Sequence, residues 1–292
     1  MEQLTLKANA KINLFLEVLD KRPDGYHNIE TVFQSIDLYD IIQLTVNNKK
    51  SIFLDSNNPG IPMDSTNIAY KAAQLLIDET RGNWGIHIHI EKLIPIGAGL
   101  AGGSADAAAV LVGLNELLDL NYTTHELMKL GNRIGSDVPF CILGGTALGH
   151  DRGDKITPLN PFHGVPLVLA NPGFQVSTAW AYNNLGNLGL TRKRKSANIL
   201  VNKLCQKDII GVSGEMYNVF EDVVMKKYPQ VRLLKDNISG CDTLGAMMTG
   251  SGPTVFALAR NVSSAENIRG QINRLVDFCI ATKTSNVSIV KK

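Results

Sequence analysis

The stretch GAGLAGGS places Gly97-x-Gly99-x-x-Gly102 just ahead of the apolar run ADAAAVLVGLNELLDL. Glycine lets backbone approach an anion with no Cβ in the way, and the N–H groups that open a helix point at negative charge. The chemistry on offer is phosphate binding. Gly99, Gly102 and Gly103 would make the close approach, and Ser104 is expected as the helix N-cap, its hydroxyl left for a phosphate or a magnesium ion. A dinucleotide-binding unit needs an acidic residue at the end of a second strand about twenty residues on, and Asp119 instead closes a helix. A Walker A loop fails too, because no Lys-Ser or Lys-Thr follows the glycines. A strand-to-helix turn that binds nothing remains the plain alternative. A second loop, Thr249-Gly250-Ser251-Gly252-Pro253-Thr254, lies far downstream between two apolar segments. Two such loops in one chain favour a polyphosphate ligand.

The elements that must position these loops follow from periodicity. Ile12, Leu14, Leu16 and Val18 alternate with their neighbours, so residues 12–46 read as antiparallel strand interrupted by the Pro23-Asp24-Gly25 turn. Asp64, Ser65 or Thr66 is expected to cap a helix over NIAYKAAQLLIDET, and IHIHIEK at 86–92 alternates as a strand. Ala107, Val110, Leu111, Leu114, Leu117 and Leu118 mark the helix behind the glycines, and GSDVPFCILGGTALG reads as a loop entering a strand. HDRGDKITPLNPFHGVP is the candidate junction between halves. Beyond it PLVLANPG is a strand, VSTAWAYNNL, SANILVNKL and SGEMYNVFEDVVMKKY are helices, Ser263-x-x-Glu266 reads as a capping box, and FCIATKT is the last strand. The expectation is a mixed α/β protein in two halves, 1–155 and 156–292.

Composition bounds the rest. With 292 residues, 44% hydrophobic, and 29 basic against 27 acidic side chains, the chain has enough apolar content for a core and no basic excess for nucleic acid. No apolar run approaches the ~20 residues of a membrane helix. ANA at 8–10 precedes the apolar INLFLEVL, the reverse of signal-peptide order, so a cytoplasmic protein is expected. Cys141, Cys205, Cys241 and Cys279 form no CxxC pair and read as buried free thiols. His87 and His89 share a strand face without a third ligand nearby in sequence, and Arg192-Lys193-Arg194-Lys195 reads as a solvated loop.

PIGAGLAGGSADAA resembles the phosphate loop of the GHMP kinases (galactokinase, homoserine kinase, mevalonate kinase and phosphomevalonate kinase), and TGSGPTVFAL resembles their C-terminal motif. AKINLFLEVLDKRPDGYHNIETVFQSIDLYD, GSDVPFCILGGTALGHDRGD and ANPGFQVST narrow the likeness to a member acting on a cytidine-diphosphate-linked methylerythritol. The likeness runs from about residue 7 to 260, with Ala101 and Ala105 where glycine and serine are common. It implies an α/β fold of two domains, an N-terminal ATP-binding domain and a ferredoxin-like C-terminal one, with the active site between them. It also implies ATP as co-substrate, Mg2+, small-molecule partners only, no membrane or nucleic-acid partner, and a monomer or weak homodimer. Another GHMP-type kinase, or a non-catalytic GHMP-fold binding protein, stands as the alternative.

The same likeness assigns roles. Asp137 matches the base and Lys11 its charge partner; read alone, they are an Asx-turn residue and a strand lysine. Asn67 and Lys92 fall on adenosine-contacting positions with Ile68 as an apolar neighbour on the ATP side, and Pro95, Gly97, Gly99, Leu100, Gly102, Gly103, Ser104 and Ala105 fall on the phosphate loop, with Ser104 the candidate metal ligand. Tyr26, His27 and Tyr182 match the cytosine grip, and Asn13, Thr178, Gly250, Ser251 and Gly252 complete the substrate side. Tyr182 could equally be a helix residue facing the core.

Overall fold

A computed structural model describes residues 2–185 and 194–292. β1 (Glu2–Lys21) and β2 (His27–Asn47) pair antiparallel across the turn at Gly25, whose φ of 87° suits a residue without Cβ. With β3 (Ile52–Ser56), β4 (Gly85–Glu91) and β12 (Ile289–Lys291) they form a sheet of order β12-β1-β2-β4-β3. β5 (Thr146–His150) pairs with β2 and β6 (Lys155–Pro158), and the short β8 (Tyr217–Asn218) joins β1 in parallel. On β4 the alternation IHIHIE buries Ile86, Ile88 and Ile90 and turns the histidines outward.

Four helices cover the buried face: α1 (Ile68–Thr80), α2 (Gly102–Leu117), α3 (Thr124–Asn132) and α4 (Val138–Leu143). α2 lies close on the sheet because its inner positions are small. Ala105, Ala107, Ala108 and Ala109 are fully buried, and a Cβ on Gly113 would stand 2.4 Å from Leu44 Cδ1. That proximity fixes where the glycine loop ahead of α2 can go.

The second sheet comprises β7 (Pro166–Asn171), β9 (Gly245–Met248), β10 (Val255–Leu258) and β11 (Phe278–Lys283), all antiparallel in the order β11-β7-β10-β9. Between β7 and β9 run α5 (Thr178–Leu185), α6 (Asn198–Cys205), α7 (Ile209–Gly214), α8 (Glu221–Lys227) and α9 (Pro229–Ser239); α10 (Val262–Ile272) precedes β11. This is the β-α-β-β-α-β order of a ferredoxin-like unit. α9 and α10 pack Val231, Leu234, Ile238, Ala265 and Ile268 on one face of the sheet. Its other face presents Leu167, Leu169, Phe256 and Leu258 to Ala10, Ile12 and Leu14 of β1, so the two sheets share an apolar core.

Several local expectations are corrected. Asn67, not Asp64, Ser65 or Thr66, caps α1, accepting from Ala69 N at 2.9 Å. Ala101, in the left-handed region at φ 57°, takes the cap position of α2, so Ser104 lies inside the first turn. VPFCIL is α4 instead of loop, SGEMYNVFEDVVMKKY splits into α7, β8 and α8, and Asn261 replaces the Ser263–Glu266 box as the cap of α10. β12 follows the strand expected to be last, and β3 had no assignment. The cysteines are free, yet only Cys141 and Cys279 are buried and Cys205 is exposed. His87 and His89 both bond Asp55, and among the described residues no group of three or more His, Cys, Asp or Glu is placed to hold a metal ion. Of the basic run, Arg192 and Lys193 lie outside the described residues. No helix among the described residues is long and apolar enough to cross a membrane.

Candidate active site

A cleft of about 820 Å³ opens between the two sheets, and both glycine loops line it. The loops touch back to back. A Cβ on Gly99, at φ 77°, would stand 2.4 Å from Thr249 O, and one on Gly250, at φ 56°, 2.8 Å from Gly99 O. Asn218 holds the downstream loop from below, donating to Met248 O and Gly250 O at 2.7 and 2.8 Å. Gly99→Ala should therefore do more than add the ~1–2 kcal/mol of a left-handed alanine; it must also separate the loops. The expected result is a raised KM for ATP in a protein that still folds, read by steady-state kinetics beside circular dichroism. Unchanged kinetics would show that the loop contact does not matter.

Lys11 sits at the base of the cleft. The β1–β2 register shifts between Asn9 and Lys11 and again between Asn13 and Phe15, and these irregularities bracket the two polar residues turned into the cleft. Lys11 Nζ donates to Asn13 Oδ1 at 2.9 Å and lies 3.5 Å from Asp137 Oδ2. Asn13 Nδ2 continues to Thr31 Oγ1 at 2.8 Å, and the Asn13 N–H bonds Thr249 Oγ1 at 3.0 Å. Lys11 N bonds Leu100 O at 3.1 Å, tying the strand to the glycine loop. Asp137 stands at the N-cap of α4 with its carboxylate uncommitted to the helix and about a third exposed. A buried ammonium thus faces a carboxylate that solvent and ligand can reach.

Behind the glycine loop lies a buried three-residue ion network. Lys92 Nζ donates to Asp40 Oδ2 at 2.5 Å and to Asp106 Oδ2 at 2.7 Å. Asp40 Oδ1 accepts from Leu93 N and Ile94 N at 2.6 and 2.8 Å, so one carboxylate holds both the lysine and the exit of β4. Burial disfavours the Lys92 ammonium, but Asp106 and Asp40 outweigh it and raise its pKa. Burial pushes the Asp106 carboxyl well above the usual range against the pull of Lys92, and Asp106 Oδ1 has no partner. A Cβ on Gly102 would stand 2.9 Å from Lys92 Nζ, which is why α2 can begin there.

The opposite wall is aromatic. His27 stacks on Tyr182 with centroids 5.1 Å apart, and Tyr182 meets Phe220 edge-on at 4.8 Å. Burial, with the Asp137 charge nearby, pushes the Tyr182 phenol well above its ordinary range and keeps it neutral. Burial, aided by Lys21, lowers the His27 pKa, so the imidazole is neutral at pH 7. Thr178 and Ser251 hydroxyls, 2.9 Å apart, join α5 to the downstream loop.

Residues 67–145 match the model for the GHMP kinases N terminal domain, and residues 200–277 the model for GHMP kinases C terminal. The 4-diphosphocytidyl-2-C-methyl-D-erythritol kinase of Acetivibrio thermocellus is 44% identical over 91% of this chain and 93% of its own. The chain belongs to the GHMP kinase family. The kinase of the same name from Alkaliphilus oremlandii is 45% identical over 91% of each chain. A crystal structure of 4-(cytidine 5'-diphospho)-2C-methyl-D-erythritol kinase superposes with a TM-score of 0.80 at 29% identity, covering 97% and 99% of the two chains. A Cytophaga hutchinsonii homoserine kinase superposes equally well, TM-score 0.80 over 100% and 98%, but at 18% identity it shows the fold alone. Membership makes the protein an ATP-dependent small-molecule kinase.

In this GHMP kinase most residues singled out in the sequence line one cleft. Asn67, Ile68, Lys92, Pro95, Gly97, Gly99, Gly102, Gly103 and Ser104 line it, as do Asn13, Tyr26, His27, Thr178, Tyr182, Gly250 and Ser251. Leu100 and Ala105 instead face the core, and Gly252 lies outside the cleft lining, its N–H bonding Thr249 O. Asn67 reaches the cleft with its polar atoms engaged, Oδ1 capping α1 and Nδ2 donating to Pro62 O at 2.7 Å. Sequence reasoning missed Asp40 and Arg152 and left Asp106 without a role. Asp40 ends a polar pair in a strand, and Arg152 sits in a DRGD turn; neither carries a local signal.

Proposed function

We propose that this GHMP kinase transfers the γ-phosphoryl group of ATP to the 2-hydroxyl of 4-diphosphocytidyl-2-C-methyl-D-erythritol. The products are the 2-phosphate and ADP, a step of the non-mevalonate route to isopentenyl diphosphate. The supporting observation is the Lys11–Asp137 pair at 3.5 Å, set between touching glycine loops and the His27–Tyr182 stack. The likeness to kinases of that name supports the choice of substrate. The half over residues 1–155 would hold ATP, and the half over 156–292 would close on the acceptor.

Asp137 accepts the hydroxyl proton as the substrate oxygen bonds phosphorus. The bond from phosphorus to the bridging oxygen breaks, and ADP leaves with that electron pair. Phosphoryl transfer asks mainly for alignment and charge stabilisation. Lys11, fixed by Asn13, offsets charge on the transferring oxygens, while loop N–H groups hold the phosphates. His27 and Tyr182 would flank the cytosine. The cleft fits Mg2+, which takes few protein ligands beside phosphate oxygens and water. Ser104 offers a cleft hydroxyl without a partner among the described residues, and Asp137 a carboxylate. When bound, the ion would neutralise charge on the phosphates.

A coupled assay of ADP release decides the acceptor. The cytidine-diphosphate-linked polyol is expected to be turned over at least ~10²-fold better, by kcat/KM, than mevalonate or homoserine. Comparable efficiency on either small alcohol would overturn the proposal.

A further inference from the structure

Three cations line the cleft among the described residues: Lys11, Lys92 and Arg152. Lys11 is engaged by Asn13 and Asp137, and Lys92 by two carboxylates. Arg152, in the turn between β5 and β6, is held differently. Its guanidinium carbon lies 4.6 Å from the centre of the Tyr26 ring, one Nη donates to Asn132 Oδ1 at 3.3 Å, and Nε stands 3.8 Å from Asp154 Oδ2. No other hydrogen bond of its side chain is made to the described residues. The side chain is three-quarters buried, so its position is set before a ligand arrives. The nearby acids are occupied: Asp24 pairs with Arg22 at 3.1 Å, and Asp154 also accepts the Arg152 backbone N–H.

Face-on contact with Tyr26 leaves the edge of the guanidinium, and most of its five N–H groups, for another partner. A planar fork of donors fits phosphate oxygens best. Its place matters as much as its chemistry. Arg152 touches Tyr26, the neighbour of His27 on the aromatic wall, and Asn132, at the end of α3 in the segment leading to Asp137. Its contacts therefore span the strip of the cleft between the Tyr26–His27 segment and the segment that leads to Asp137. An acceptor whose base lies on one and whose hydroxyl reaches the other must lay its linker along that strip.

We infer that Arg152 binds the diphosphate of the acceptor substrate, and so fixes the reach from the cytosine pocket to Asp137. The inference rests on the cytidine-diphosphate reading above and adds a residue to it. The diphosphate meant is the acceptor's, since the upstream glycine loop at Gly97–Gly103 serves the phosphates of ATP.

The test compares wild type with Arg152→Gln and Arg152→Lys, all shown to have the same thermal midpoint. For Arg152→Gln the expected result is a rise in acceptor KM of roughly 10- to 100-fold, the range of charge-assisted hydrogen bonds. ATP KM and kcat should stay within about threefold. CDP and cytidine are then used as competitors. CDP should lose inhibition by the same factor in Arg152→Gln while cytidine is unaffected, and Arg152→Lys should recover part of the loss. A purely structural role would weaken CDP and cytidine alike, and a role at ATP would raise ATP KM; either overturns the inference, as does an unchanged acceptor KM. A wild-type enzyme that neither phosphorylates the cytidine-diphosphate polyol nor responds to CDP would overturn the underlying reading first, a failure read in the wild-type arm alone.

Discussion

Asp137→Asn should lower kcat by about 10²- to 10⁴-fold, the range for loss of a general base, with ATP KM changed by less than about threefold. The substitution keeps the size of the side chain but removes the carboxylate proposed above to take the proton. Asp137 is a suitable place to learn this because its carboxylate makes no side-chain cap to α4 and is about a third exposed, and Lys11, which faces it at 3.5 Å, keeps its bond to Asn13. The variant should fold as the parent does, so lost activity would report chemistry. Lys11 is different. It is buried, bonds Asn13 and lies 5.5 Å from the centre of the Phe33 ring, so truncating it would disturb packing and charge together. Full turnover by Asp137→Asn in a single-turnover experiment would remove Asp137 as the base.

The largest stability effect should come from Lys92→Met. The side chain is similar in length, but Asp40 and Asp106, both almost wholly buried, would lose the cation that both of them pair with. Removing one partner from a buried ion network costs about 3–5 kcal/mol, because charge is left uncompensated in a poorly solvating interior. The sign of the pH dependence follows. Burial already raises the Asp106 carboxyl against the pull of Lys92, so without Lys92 its folded-state pKa lies further above the unfolded value, folding binds a proton and the deficit shrinks as pH falls. Urea denaturation near pH 7.5 should show the full loss and near pH 5 a smaller one. A loss below about 1 kcal/mol, independent of pH, would mean that Asp40 and Asp106 find other partners.

Lys92 also shows what the sequence conceals. Its position was legible by resemblance, as were Lys11, Asp137 and both glycine loops, because these belong to contiguous strings whose spacing carries the chemistry. Asp40 closes one of those strings, yet nothing in the string marks it as a partner of Lys92. It reaches Lys92 only because β2 pairs with β4, which places residues 52 positions apart within one hydrogen bond. Arg152 reads as an ordinary turn arginine until the fold sets Tyr26 against it. The misplaced caps have a local cause. Asn67 and Ala101 take the cap positions because of backbone conformation, with Ala101 in the left-handed region, and side-chain type alone named their neighbours. The mixed α/β character was readable from period-2 and helical patterns; β3 and β12, short and polar-flanked, were not.

The pairing of Leu6–Ala8 with Ile289–Lys291 bears on how the protein is made. A ribosome delivers the chain in order, and the long first sheet would ordinarily be complete well before the second had emerged. Here one of its strands arrives only after the entire ferredoxin-like unit has been synthesised. Until then one edge of β1, which carries Lys11 toward its middle, lacks its neighbour over residues 6–8. The sheet that carries Lys11 is thus finished by residues that follow the ferredoxin-like unit, and a partly synthesised chain cannot assemble the complete cleft.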